Sequence, residues 1–233
     1  MITHDIIRLI APLSFDNNMK NLFKYRICLL KILLISLLVL ITGCANNDKD
    51  DEIKYLQVKI YTESGYGSGV ITDVNDEGVV ITTALHVISD WNENGHIEYF
   101  DKSSSFGLKV GALEKEDICL LEVPSDYLDS SLYDKLKKIV KPDSYIESIN
   151  LEFNKGDDFK FFDMDIDRIC KGKLISAYEY NYELDNMVIL GECIKTVPKE
   201  GLSGIGVYNN DNVLIGILIA GNENGIIAIK PIY

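Results

Sequence analysis

Gly67-Ser68-Gly69-Val70-Ile71, a turn at Asp76-Glu77-Gly78, and then Val79-Val80-Ile81-Thr82-Thr83-Ala84-Leu85-His86-Val87 form the stretch from which the fold is read. Two runs rich in Val, Ile and Thr flank a short Asp/Gly cluster, the signature of a β-hairpin. The first strand is framed by glycines, and the second runs directly into a histidine. A histidine there gains a rigid support, which a general base needs to keep its imidazole beside a reacting group.

Working outward, the same pattern recurs. Tyr55 to Tyr61, Gly69 to Asp73, Val79 to Thr83, Ile118 to Val123, Met187 to Leu190, Val213 to Ala220 and Ile226 to Ile229 are short apolar runs separated by Gly, Asn and Asp. Strands at this spacing predict an all-β barrel or sandwich. Asn209-Asn210-Asp211-Asn212 reads as a second hairpin turn. One stretch differs. Ser130 to Val140 has Leu132, Leu136 and Val140 at helical spacing with lysines on the other face, and it stops before Pro142. It falls where a connection between two lobes would lie.

The chain has 233 residues, 47% of them hydrophobic and 25% charged, enough to bury a core in one domain or two small lobes. A formal net charge of -13 argues against a nucleic-acid partner, because phosphate neutralisation needs clustered Lys and Arg. No C-x-x-C pair occurs, so neither a structural zinc site nor any other metal is expected, and nothing calls for a cofactor. Cys119 lies in Ile118-Cys119-Leu120-Leu121 and reads as a small buried hydrophobe. Cys170 and Cys193 could pair outside the cytoplasm, which their spacing does not establish.

Two further segments carry chemistry. In Glu116-Asp117-Ile118-Cys119-Leu120-Leu121 an aspartate precedes an apolar strand, 31 residues after His86; Glu116 and Asp90 are alternates for its role. In Gly201-Leu202-Ser203-Gly204-Ile205-Gly206 a serine sits among glycines, before the strand Val213-Leu214-Ile215-Gly216-Ile217. Taken in order, these three segments resemble the trypsin-like serine peptidases of the HtrA/Deg and glutamyl-endopeptidase kind, over about Lys54 to Tyr233. The resemblance implies two six-stranded β-barrel lobes, about 54–140 and 145–233, with few short helices and the active site between them. It also implies His86 as general base, Asp117 as the carboxylate that fixes its tautomer, and Ser203 as nucleophile. The N–H groups of Gly201 and Ser203 would form the oxyanion hole, with Gly201 free to take φ > 0. Val197, six residues before the serine, stands at the family's pocket-base position and would suggest apolar primary specificity. The sequence departs from the family's Gly-x-Ser-Gly-[Gly/Ser]-Pro at Leu202, Ile205 and Gly206, and a β-branched residue at 205 could reshape the oxyanion loop. The resemblance implies a serine endopeptidase acting on a peptide or protein substrate; its rival is an inactive relative serving as a surface binding module.

The N-terminal part is organised differently. Lys20, Lys24, Arg26 and Lys31 precede an apolar run from Ile32 to Thr42, short of the roughly 20 residues that span a bilayer. Its end, Ile41-Thr42-Gly43-Cys44, resembles the lipobox of bacterial lipoproteins. That implies an extension and signal peptide over 1–43, lipid on Cys44, a polar tether over 44–53, and an extracytoplasmic place on the membrane of a bacterial envelope. Met19 is an alternative start to Met1, and an uncleaved anchor helix is the other reading of the run.

Overall fold

A computed structural model describes residues 51–140 and 152–232; the signal region, Cys44 and the Met19 start lie outside the described residues. The chain forms two lobes. The N-terminal one is a seven-stranded sheet, β1 (Gln57–Tyr61), β2 (Tyr66–Val74), β3 (Gly78–Ala84), β4 (His96–Tyr99), β5 (Ser104–Ser105), β6 (Leu108–Leu113) and β7 (Ile118–Pro124), ordered β5-β4-β1-β2-β3-β7-β6. The C-terminal one contains β8 (Asp158–Asp163), β9 (Arg168–Leu174), β10 (Glu179–Asn181), β11 (Asn186–Cys193), β12 (Gly206–Tyr208), β13 (Leu214–Gly221) and β14 (Ile226–Lys230), ordered β10-β11-β14-β13-β12-β8-β9.

The two lobes differ in closure. In the C-terminal lobe β9 also pairs with β11, Gly191 opposite Leu174 and Cys193 opposite Gly172, so six strands close into a barrel with β10 appended. Phe159 fills its interior, and a Cβ at Gly172 or Gly191 would lie 2.2 or 2.5 Å from that ring. The small residues at the closing strands are therefore what let the barrel shut around a large one. The N-terminal sheet curls into a half-barrel. Together they are the two-barrel architecture expected from the sequence.

Local chemistry explains the elements. Asn75 caps the β2–β3 hairpin by accepting from the N–H of Glu77 (2.9 Å) and Gly78 (3.2 Å). Asn209 does the same before β13, accepting from Asp211 and Val213 at 2.9 Å. Helix α1 (Ser130–Ile139) is N-capped by Asp129, which accepts from Ser131 N–H (2.9 Å) and Leu132 N–H (3.2 Å). It buries Leu132 and Leu136 against the N-terminal core, as the sequence predicts. The expected strand at Tyr55 instead begins at Gln57, because residues 51–56 are helical. Ile53, placed in the tether by sequence, is only 1% exposed and packs with Val70, Ala84, Ile118, Phe162 and Val188. The folded part thus reaches back at least to Asp51.

Three apolar clusters organise the packing. One fills the N-terminal lobe around Val58, Ile81 and Leu121, and one fills the C-terminal barrel around Phe159, Ile189 and Ile229. The third draws Val70, Ala84 and Ile118 from one lobe against Tyr208, Ile217 and Ala228 of the other. A seam of buried apolar contacts fixes the lobes relative to each other, and the candidate site lies along it.

Candidate active site

β3 ends at Ala84 and the chain enters a 3-10 turn, Leu85–Ile88, that carries His86. β7 is entered from another 3-10 turn, Glu114–Glu116, capped by Asp117 in the left-handed region with φ 54. The pairing of Ala84 with Ile118 sets the two turns side by side. Asp117 then engages His86 twice. One carboxylate oxygen accepts the His86 backbone N–H at 3.0 Å, and the other lies 2.7 Å from Nδ1. The Asp117 carbonyl accepts in turn from Leu85 N–H at 3.0 Å. A carboxylate held on Nδ1 selects the tautomer with its proton there and leaves Nε2 as the basic nitrogen.

The alternates to Asp117 have other tasks. Asp90 accepts from Ser64 N–H at 2.7 Å and so braces the β1–β2 hairpin. Glu116 pairs with Lys230 across the seam.

Ser203 lies in the turn between β11 and β12, and this turn is docked on β2. Ser68 N–H donates to the Ser203 carbonyl at 2.8 Å, and Ser68 Oγ donates to the Gly201 carbonyl at 2.7 Å. Thr83 Oγ1, three residues before His86, donates to the Ser68 carbonyl at 2.6 Å. Gly204 (φ +90) sits so close that a Cβ there would be 2.0 Å from the Ser68 carbonyl oxygen and 2.4 Å from Thr83 Oγ1. Gly201 also has φ +90, the conformation expected from its glycine, and packs on the Tyr66 ring. Among the described residues the N–H groups of Gly201 and Ser203 donate to no other backbone carbonyl. Ser203 Oγ and His86 Nε2 are likewise not hydrogen-bonded to one another.

The departures from the family pattern are absorbed by packing. Leu202 and Ile205, 3% and 1% exposed, both pack in the barrel core, and Ile205 donates its N–H to the Leu202 carbonyl and accepts from Leu218 N–H, each at 3.0 Å. Ile205 therefore anchors the loop from within. Gly206, standing where the family has proline, brings a buried N–H that proline would lack. Gln57 supplies the partner: its Oε1 accepts from Gly206 N–H at 2.9 Å, while its Nε2 donates to Tyr208 OH at 3.0 Å. Gln57 is fully buried in the opposite lobe and was not read from the sequence. Nor was Asp165, in the β8–β9 turn, which accepts from Lys59 and, at 3.1 Å, from Tyr66 OH. Burial pushes the Asp165 carboxyl up, but donation from Lys59 and Tyr66 outweighs it and holds the group below its ordinary value. Val197 is 51% exposed on the loop after β11 and is not enclosed as a pocket floor.

The three cysteines among the described residues are free and buried. Burial pushes each thiol up, Cys193 to about 11 with the neighbouring Cys170 adding to the effect. They are packing residues, and Cys170 and Cys193 are not bridged. Among the described residues no cluster of His, Cys, Asp and Glu is arranged to hold a metal ion, and no helix is long and apolar enough to cross a membrane.

No protein-family model matches this chain, and no curated protein matches it in sequence. Among solved structures, a serine endoprotease from Yersinia pestis is similar at a TM-score of 0.58 and 22% identity, covering 80% of this chain and 62% of that one. The chain thus spans less than two thirds of that protein's length. At this identity the likeness carries the fold: two β-barrel-like lobes of the trypsin-like kind, meeting at the seam where His86, Asp117 and the Ser203 turn are found.

Proposed function

We propose that the chain is a serine endopeptidase that hydrolyses peptide bonds through an acyl-enzyme on Ser203. The observation that carries this reading is the double hold of Asp117 on His86, at Nδ1 and at the backbone N–H. A structural histidine has no need of a carboxylate that fixes both its tautomer and its main chain. With Nδ1 so engaged, Nε2 removes the Ser203 proton as Oγ attacks the scissile carbonyl carbon. The carbonyl π electrons move to oxygen, and the N–H groups of Gly201 and Ser203 receive that charge. The imidazolium gives its proton to the leaving amine, the C–N bond breaks, and water activated by the same Nε2 releases the acid. The Ser203 Oγ to Nε2 contact is one that substrate must tighten, as catalytic hydrogen bonds commonly do on complex formation.

A second reading, an inactive relative that binds partners at the surface, draws on that open contact and on the exposure of Val197. Hydrolysis of an unfolded protein substrate separates the two. Wild type is expected to cleave it while Ser203→Ala and His86→Ala do not; a wild type as inert as the variants favours the binding module. We place the enzyme on the outer side of a bacterial membrane through lipid on Cys44, on the basis of Ile41-Thr42-Gly43-Cys44. Cys44→Ser should release it to the soluble fraction, and retention in membranes would contradict the lipid anchor.

A further inference from the structure

Lys230, on β14 of the C-terminal barrel, is 2% exposed. Its ammonium donates to the Glu116 carboxylate, to Asn186 Oδ1 at 2.8 Å and to the Met187 carbonyl at 3.1 Å, with the Tyr178 ring 5.9 Å away. Three N–H donors thus meet three acceptors, which is the full capacity of the group. An ion pair with one end buried and the Glu116 end half-exposed is poor evidence for stability, since the gain is offset by desolvation of the ammonium and by solvent screening. Its place is more informative. Glu116 is the last residue of the three-residue 3-10 turn whose cap is Asp117. Such a turn is short, and its cap occupies the left-handed region, which Asp tolerates better than most residues but less readily than glycine. Within its own lobe the turn is tied by Asp117 N–H to the Glu114 carbonyl at 3.3 Å and by Leu85 N–H to the Asp117 carbonyl. Lys230 adds a hold from the other lobe, one residue from the carboxylate that faces His86.

We propose that Lys230 is a positioning residue for Asp117: through Glu116 it fixes, from across the seam, the turn that aims the Asp117 carboxylate at His86. The inference rests on the reading of His86, Asp117 and Ser203 as the catalytic triad. The charged groups involved are Asp117 against His86 and Glu116 against Lys230, with Tyr178 the remaining titratable neighbour of the ammonium. Removing Lys230 alone would leave the Glu116 carboxylate without its counter-charge at the seam. The pair Glu116→Gln with Lys230→Met removes one charge of each sign.

The test uses the full-length chain in detergent, with two readouts: the rate of fluorophosphonate labelling at Ser203, and the NMR resonance of the His86 Nδ1–H that faces Asp117, in a His4→Gln, His96→Gln background. The paired variant is expected to label about tenfold or more slowly. Its His86 Nδ1–H resonance should move upfield or be lost to exchange with water, because that proton has lost part of its carboxylate acceptor. A resonance equal to wild type overturns the proposal, whatever the stability of the variant. Should the pair fail to fold, Glu116→Ala and Glu116→Gln decide the matter. The half-exposed side chain opens no core cavity, and the amide retains an oxygen for Lys230. Labelling slower in Ala than in Gln is expected, and equal rates would refute the positioning role. Failure of the triad reading looks different: wild type then does not label at all, while the Nδ1–H resonance still reports whether Lys230 holds Asp117.

Discussion

On the N-terminal side of the seam, His86 and Asp117 are joined by hydrogen bonds inside one lobe, set by the register of β3 against β7. On the C-terminal side, the Ser203 turn is secured from the other lobe, by Ser68 on the Ser203 and Gly201 carbonyls and by Gln57 on Gly206. The His86–Asp117 pair is thus set first by local strand geometry, with Lys230 an added hold from the other lobe, whereas the Ser203 loop is secured by docking. Bonds within a sheet survive small shifts between lobes, but bonds across a seam do not. The Ser203 side should therefore be the one through which stability and activity are coupled.

That contrast can be broken or sharpened by substitution. The largest expected effect is Asp117→Asn. It retains the fold, but the amide favours the wrong imidazole tautomer, and kcat should fall by about 10⁴. Melting temperature within a few degrees of wild type would show that the loss is chemical. Next is Gly204→Ala, where a Cβ would be 2.0 Å from the Ser68 carbonyl oxygen at φ +90. Strain of about 1–3 kcal/mol plus that clash must displace the loop. Activity should drop by about 10² with a measurable loss of thermal stability. Third is Gln57→Leu, which leaves Gly206 N–H and Tyr208 OH buried without partners, at about 1–3 kcal/mol each. Chemical denaturation should show this loss, and catalysis should decline with it; a stable variant of unchanged activity would deny that the loop depends on docking.

A smaller effect concerns pH. Asp165, in the C-terminal lobe, is depressed below its ordinary 3.8 by Lys59 and Tyr66 of the other lobe despite the opposing effect of burial. The folded state therefore binds this proton less tightly than the unfolded one. Its contribution is present above about pH 4 and is lost as pH falls through the depressed folded value. Asp165→Asn should accordingly flatten the acid limb of the stability curve, measured by thermal melts over pH. Smallest of all is the response of the cysteines. With Cys193 raised to about 11 by burial, and Cys119 and Cys170 raised likewise, alkylating reagents at pH 8 should leave all three unmodified until the protein unfolds.

What the sequence made legible follows the same division. The hairpin ending at His86 and the strand after Asp117 carry uninterrupted β-branched and apolar residues, so β2, β3 and β7 could be read directly. β8 could not: Asp158-Phe159-Lys160-Phe161-Phe162-Asp163 mixes buried charge into its strand, with Lys160 5% and Asp163 3% exposed. β6 was silent for the opposite reason, since Leu108, Val110 and Leu113 face solvent and show no alternation. Asp117 and Ser203 could be read from order and spacing, but what braces their turns could not, because Lys230 and Gln57 act through contacts about 110 to 150 residues away in sequence. Each nevertheless left a trace. Gln57 and Lys230 are lone polar residues between apolar neighbours, and glycine in place of proline at 206 adds a donor that some acceptor must meet.

The central claim, that the two sides of the seam together make Ser203 a nucleophile, is tested most directly by exposing the full-length chain to a fluorophosphonate and mapping the adduct by mass spectrometry. One phosphonyl group on Ser203, absent after His86→Ala, is the expected result. A folded wild-type protein that remains unmodified, or an adduct that persists when His86 is removed, would contradict it.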